Sequence, residues 1–212
     1  MDKQVDILII GAGISGIGVA AHLSQNCPQR SFEIIERRQS FGGTWDLFQY
    51  PGIRSDSDMS TFGYNFKPWK KTNVLADGAS IKDYLEEVIQ EKALHSKIHF
   101  QHRVLSANYD SQTRKWTLRI ENAEQQIETW VANFVLGCTG YYNYDQGFQP
   151  DFPNQQAFKG AFIHPQHWPE NLDYRGKKVL IIGSGATAIT LVPAMSKGGA
   201  AHVTMLQRSP TY

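Results

Sequence analysis

Residues 5–16 read VDILIIGAGISG, an apolar strand that breaks at Gly11-Ala12-Gly13 and passes through Ser15-Gly16 into a helical pattern. A second apolar strand, FEIIE over 32–36, ends in Glu36. A Gly-x-Gly-x-x-Gly turn between strand and helix lets a pyrophosphate approach bare backbone at a helix N-terminus, where N–H donors and partial positive charge meet it. An acid at the end of the next strand accepts hydrogen bonds from a ribose and repels a 2′-phosphate. The arrangement returns at 178–188, KVLIIGSGATA, with Gly183, Gly185 and Ala188, and its second strand HVTMLQR ends in Arg208. Arginine pairs with a 2′-phosphate. The separations from first glycine to charged residue match, 36 − 11 = 25 and 208 − 183 = 25, so two dinucleotides are expected: FAD at the first turn and NADPH at the second.

The fold class that follows is α/β, a flavoprotein with two dinucleotide-binding domains: a Rossmann-like FAD domain carrying a β-meander, then an incomplete Rossmann-like NADPH domain. The expected boundaries are 1–140, a connector over 141–176, and 177–212. After the first βαβ unit lies SFGGTWDLFQYPGIRSDSDMST, rich in Gly, Ser and Asp, with aromatics but no helical period; so long a loop reads as functional. Ser80 is placed to cap a helix through IKDYLEEVIQEKAL, with Asp83 near the capping-box position. From Ile98 the alternation of IHFQHRVLSANYD, KWTLRIEN and QQIETWVANFVLGCTG predicts an antiparallel meander. Its last apolar run, FVLGC, reads as a buried strand of the parallel sheet.

Composition excludes more than it selects. Net charge is +1, which gives no electrostatic case for nucleic acid or for an anionic membrane surface. Cys27 and Cys138 are far apart with no CxxC spacing, so neither structural zinc nor a redox dithiol is signalled, and both read as reduced and packed. The apolar stretch from Val5 to Leu23 contains glycines and His22 and lacks a basic leader; it reads as strand-turn-helix in a cytoplasmic protein, with peripheral membrane association left open.

The connector holds FKGAFIHPQHWPE over 158–170. His164 and His167 alone suggest metal ligands, but Pro165 and Pro169 forbid a regular helix and no third ligand is evident, so no metal is expected. Phe158, Gly160, His164, Trp168 and Pro169 instead resemble the FxGxxxHxxxWP fingerprint of the Baeyer–Villiger monooxygenases, a branch of the flavin-containing monooxygenase superfamily, at every fixed position. Gly42-Gly43-Thr44-Trp45 through Tyr50-Pro51-Gly52 to Asp56 resembles that family's GGxWxxxxYPGxxxD element. GGTWDLFQYPGIRSDSDM, GYYNYD, HPQHWPE, GSGATAITLVPAM and HVTMLQRSPTY are similar to the family's bacterial ethionamide-activating branch, and the resemblance spans essentially the whole chain.

The resemblance implies a role for each matching residue. Gly11, Gly13, Ser15 and Gly16 would hold the FAD pyrophosphate and Glu36 the ribose, while Thr44, Trp45, Asp46 and Leu47 line the flavin. Asp56 would sit beside the isoalloxazine, and the backbone of Val104 would meet the adenine. Arg54, Ser55 and Asp56 would approach the nicotinamide. Gly183, Ser184, Gly185, Ala186, Thr187, Ala188 and Ile189, with Gln207 and Arg208, match NADPH contacts. His164 is implied as a residue coupling NADPH binding to flavin chemistry rather than as a general base. The implied reaction is oxygen transfer from molecular oxygen, through a peroxyflavin, to a small ketone or sulfur compound, with Asp56 partnered by an arginine beyond Tyr212.

From Lys177 to Tyr212 there is room for one βαβ unit where two halves are usual, so a fragment cut in mid-sheet is expected. Its open edge favours aggregation, and little turnover is expected from it alone. A non-catalytic nucleotide-binding piece, one half of a split enzyme with a complementing C-terminal partner, and an N-oxidising flavin monooxygenase stand as alternatives. A flavin disulfide reductase lacks its dithiol here.

Overall fold

Strand β1 (Lys3–Ile10) is the centre of the first sheet, because its residues are apolar on both faces: Leu8 and Ile9 are fully buried, as expected for a strand with layers above and below. In the computed structural model, which describes residues 2–209, β1 pairs in parallel with β2 (Phe32–Ile35) on one side and β6 (Ile127–Gly137) on the other. The sheet runs β3-β2-β1-β6-β5-β4, with β3 Ile98–His99, β4 Arg103–Asp110 and β5 Lys115–Glu121. The crossover helix α1 (Ile14–Asn26) packs on β1 and β2 and buries Ile17, Ala20 and Ala21.

Strand β6 does two jobs. Ile127 to Ala132 pair antiparallel with β5, whereas Trp130 to Gly137 pair in parallel with β1. The meander therefore continues directly into the parallel sheet, and one core joins Val5, Leu8 and Ile35 to Leu118, Ile120 and Trp130. Along the second half of β6 only Val135 is half-buried, whereas Phe134 is 64% exposed and Leu136 36%, which corrects the expectation of a buried run. Ile98 and His99 belong to the parallel sheet, paired with Ile34 and Ile35, so the antiparallel meander begins at Arg103.

Two further differences are local. The loop after β2 contains two one-turn helices, α2 (Thr44–Leu47) and α3 (Met59–Phe62), the latter capped by Asp58 through the Thr61 N–H. Helix α4 (Gly78–Glu91) starts two residues before the expected cap: Asp77, not Ser80, accepts from the Ser80 N–H at 2.7 Å. Carboxylate and hydroxyl compete for the same role, and the charged acceptor makes the stronger bond to a helix N-terminus.

The remaining elements are β7 (Lys178–Ile182), α5 (Ala186–Lys197) and β8 (His202–Leu206), with β7 and β8 paired in parallel. By internal contacts the chain divides into two units, one comprising residues up to Asp46 with Lys82–Tyr141, the other Leu47–Ile81 with Tyr142 onward. In the second unit Phe48, Tyr50, Leu191 and Met195 form a core to which Trp168, Tyr174, Val179 and Val203 add their side chains. Among the described residues, no helix is long and apolar enough to cross a membrane.

Candidate nucleotide-binding sites

In the first unit each glycine of the turn has a separate physical task. Gly11 has φ +107°, and a Cβ there would overlap the carbonyl oxygen of Cys138; a Cβ on Gly16 would overlap the carbonyl oxygen of Gly11. These two let strand and helix close together. Gly13 is different: a Cβ would stand clear of the first turn, 3.6 Å from Cα of Gly43, in the gap between the two glycine pairs. The bare backbone on both sides forms a cradle that a side chain would fill. Gly13 is also the N-cap of α1 and provides no side-chain cap, leaving that role to a ligand anion or water. Ser15 is exposed on the first turn of α1.

Glu36 follows the last residue of β2 and is 6% exposed. Its Oε2 accepts from the Ala12 N–H and its Oε1 from the Arg38 N–H, each at 2.8 Å. Its own backbone is fixed by the Glu36 N–H to His99 carbonyl bond and the His102 N–H to Glu36 carbonyl bond, both 2.9 Å. A carboxylate has about four lone-pair sites, so two remain for the hydroxyls of a ribose. The carboxylate is therefore locked to the glycine turn itself, and the residues fit a dinucleotide with an unphosphorylated ribose.

The second glycine pair is tied to the first by the Gly42 N–H to Ala12 carbonyl bond of 2.9 Å. Thr44 and Trp45 are half-buried beyond it. Asp46, within the run expected to line a flavin, has its carboxylate paired with Arg38 at 2.7 Å and with Lys82. Val104 is half-buried and pairs with Ile120, just before a register shift at Leu105. Behind the turn, burial pushes the Cys138 thiol above its usual range, which keeps it protonated and unreactive.

The second turn repeats the first with one change. Gly183 has φ +132° and Gly185, without a side-chain cap, is the N-cap of α5, but Ala188 replaces the third glycine and is buried. Ser184, Ala186, Thr187 and Ile189 surround this helix start. The strand register differs by one residue: Ile10 lies opposite Ile35, placing Glu36 level with Gly11, whereas Ile182 lies opposite Leu206, placing Gln207 level with Gly183. Arg208 is thus one residue past the position of Glu36, and a neutral amide takes the acid's place. Equal counting along the sequence hides this shift. Its chemical consequence is that a neutral amide, which does not repel a phosphate, stands level with Gly183, with the guanidinium of Arg208 one residue beyond.

In the same unit Leu47 packs at the edge of the core and Arg54 and Asp56 are exposed, whereas Ser55 is buried and committed to its own loop: its hydroxyl donates to the Ser57 carbonyl at 2.7 Å. The Tyr50-Pro51-Gly52 turn carries a function that sequence did not signal. Gly52 has φ +84°, and a Cβ there would come within 2.7 Å of the Thr190 carbonyl and 2.9 Å of Ala194 Cβ, so this turn is packed against α5. His164 accepts on Nδ1 from the Gln166 N–H at 3.2 Å, which leaves the proton on Nε2 in the neutral ring. Gln166, 4% exposed, donates to the Asn143 carbonyl at 2.6 Å, and Gly147 lies against the imidazole, where a Cβ would come within 2.6 Å of Nδ1. Among the described residues no cluster of His, Cys, Asp or Glu is placed to hold a metal.

The sequence is 76% identical over all 212 residues to the "Probable FAD-binding monooxygenase AlmA" of Acinetobacter baylyi, and 55% identical over its full length to the FAD-containing monooxygenase EthA of Mycolicibacterium smegmatis. The chain spans 43% of the length of each of these relatives. A steroid monooxygenase solved with NADP superposes with a TM-score of 0.83 at 28% identity, over 99% of this chain and 40% of that one. The family model for flavin-binding monooxygenase-like proteins matches residues 2–212. With two glycine cradles, one level with a buried acid and the other flanked by arginine, the chain belongs to the flavin-binding monooxygenase-like family.

Proposed function

We propose that this chain forms the FAD-binding part, and the first half of the NADPH-binding part, of a Baeyer–Villiger-type monooxygenase. It would act on a small ketone or sulfur compound with molecular oxygen. The observation that carries the proposal is the chemical contrast between the turns: Glu36 locked to Ala12 at the first, Gln207 and Arg208 at the second. In this assignment residues 1–140 bind FAD, 141–176 connect, and 177–212 begin the NADPH domain.

When bound, the two cofactors supply hydride transfer and oxygen activation, and the protein supplies binding, orientation and exclusion of water. Gly11, Gly13, Ser15 and Gly16 hold the diphosphate, and Glu36 takes the ribose hydroxyls. Thr44 and Trp45 border the ring system. Gly183 to Ile189 present the second helix N-terminus, Gln207 accommodates and Arg208 pairs with the 2′-phosphate. Asp56, exposed on its loop, holds charge on the flavin side. His164, with Nε2 protonated, couples the nicotinamide end to the flavin site as a hydrogen-bond donor.

Equilibrium titration of the purified chain with FAD, then with NADPH and NADH, tests this. FAD is expected to bind at the first turn and NADPH to bind at least tenfold more tightly than NADH, the value of roughly 1.4 kcal/mol from one charge-assisted contact. Equal affinity for the two nicotinamide nucleotides contradicts the assignment of the second turn.

A further inference from the structure

We infer that Asp46, clamped between Arg38 and Lys82, is a positioning residue that sets the spacing of the two glycine turns at the proposed FAD site. The inference rests on the FAD assignment above and adds to it a task for the Asp46 carboxylate, which is to hold the wall of that site.

Three elements meet at this carboxylate: the chain just beyond β2, which carries Arg38, helix α2, which carries Asp46, and helix α4, which carries Lys82. Only 8% of the Asp46 side chain is exposed, and its two oxygens are divided between the cations, Oδ2 to Arg38 and Oδ1 to Lys82. The same Arg38 nitrogen also donates to the Asp46 carbonyl at 3.3 Å. The backbone of Arg38 in turn binds Glu36, so the clamp and the ribose-binding acid share one strand end.

The clamp lies directly behind Gly42. That residue has φ +114°, and a Cβ there would stand 3.2 Å from Cβ of Asp46 and 3.5 Å from Cγ of Lys82. In front, Gly42 bonds to Ala12, and Gly43 faces Gly13 across the cradle. Moving Asp46 therefore moves the wall of the cradle. Removing one member of a buried ion cluster leaves its partners uncompensated, so the cluster resists rearrangement strongly.

Charge and geometry give opposite expectations for one variant, which makes the role testable. The three groups sum to one net positive charge beside a site for an anionic diphosphate. Asp46→Asn raises that charge; if the cluster acted through its field alone, FAD would bind more tightly. A positioning role requires the reverse.

The experiment is FAD titration of the full chain by flavin fluorescence, well below the melting midpoint of every variant, with melting measured separately without FAD. Asp46→Asn is expected to weaken FAD roughly tenfold or more. Lys82→Met is expected to weaken it several-fold, with the deficit kept at about 0.5 M salt, where a long-range field is screened, and Lys82→Arg is expected to restore affinity. Unchanged or tighter binding by Asp46→Asn overturns the inference. If that variant does not fold, a Lys82→Met deficit that vanishes in salt, or no deficit, overturns it. In both cases wild-type binding leaves the FAD assignment standing; absence of FAD binding by the wild type removes the assignment and the inference together.

Discussion

Replacing Glu36 by Gln removes one negative charge and converts one acceptor into a donor, with almost no change in volume. The wild-type carboxylate receives two backbone N–H groups at 2.8 Å while 6% exposed. Glutamine keeps one oxygen, so either Ala12 or Arg38 must point its N–H at an NH2 group. A hydrogen bond to a charged acceptor contributes about 1.5–3 kcal/mol, and an unsatisfied buried donor costs about 1–3 kcal/mol. These overlap in one event, so a loss of roughly 2–4 kcal/mol is expected, equivalent to about 5–15 °C in melting midpoint for a chain of this size. Loss of charge assistance to the ribose hydroxyls adds about a tenfold loss in FAD affinity. Circular dichroism melting without FAD, followed by fluorescence titration, separates the two effects. Glu33→Gln is the control: Glu33 is half-buried on the same strand but faces His99 and Lys97, away from the turn. A Glu36→Gln protein that melts with the wild type and binds FAD equally well would refute the reasoning.

Gly13→Ala places a methyl in the gap toward Gly43 and is expected to weaken FAD binding at least tenfold in titration while circular dichroism remains native-like, since the added Cβ would stand 3.6 Å from Cα of Gly43, an ordinary contact. Gly147→Ala drives a methyl into the His164 ring; the expected outcome is a shifted imidazole resonance by NMR and a fall in melting midpoint of several degrees. Acid sensitivity follows from Glu128: burial pulls its carboxyl upward, but hydrogen bonds from Lys3, Trp130 and Asn122 outweigh this and bring it down to about 2. Its stabilising contribution is complete above the ordinary value of 4.5 and is lost as pH falls toward 2. Tryptophan fluorescence during acid titration should report this, because Trp130 Nε1 donates to Glu128 at 3.0 Å, and Glu128→Gln should flatten stability across that interval.

The parts of the fold visible in the sequence are those governed by short-range rules. Glycines at fixed spacing after an apolar strand specify the turns at Gly11 and Gly183, and alternation specifies β4 and β5. What stayed hidden depends on partners distant along the chain. Asp46 falls in a run that resembles a flavin-lining pattern, but its carboxylate also pairs with Lys82, 36 residues away on a helix whose approach no local signal announces. The apolar run at Phe134 to Leu136 shows that both faces could be buried, not that both are covered. Equal spacings of 25 residues suggested equivalent positions for Glu36 and Arg208, but the connection between β7 and β8 is one residue tighter and advances Gln207 into the acid's place. For Ser80, two capping residues stood three apart, and only the bond to Asp77 decides between them.

The central claim is that the two cradles are sorted by charge, and paired reversals measure it most directly. Glu36→Arg and Arg208→Glu should each be titrated with FAD, NADPH and NADH. The expected result is separation: Glu36→Arg loses FAD but still prefers NADPH to NADH, whereas Arg208→Glu keeps FAD and loses its preference for NADPH. If FAD binding survives at position 36, or both variants lose both nucleotides together despite native circular dichroism, the assignment of acid to flavin and arginine to phosphorylated nicotinamide is contradicted.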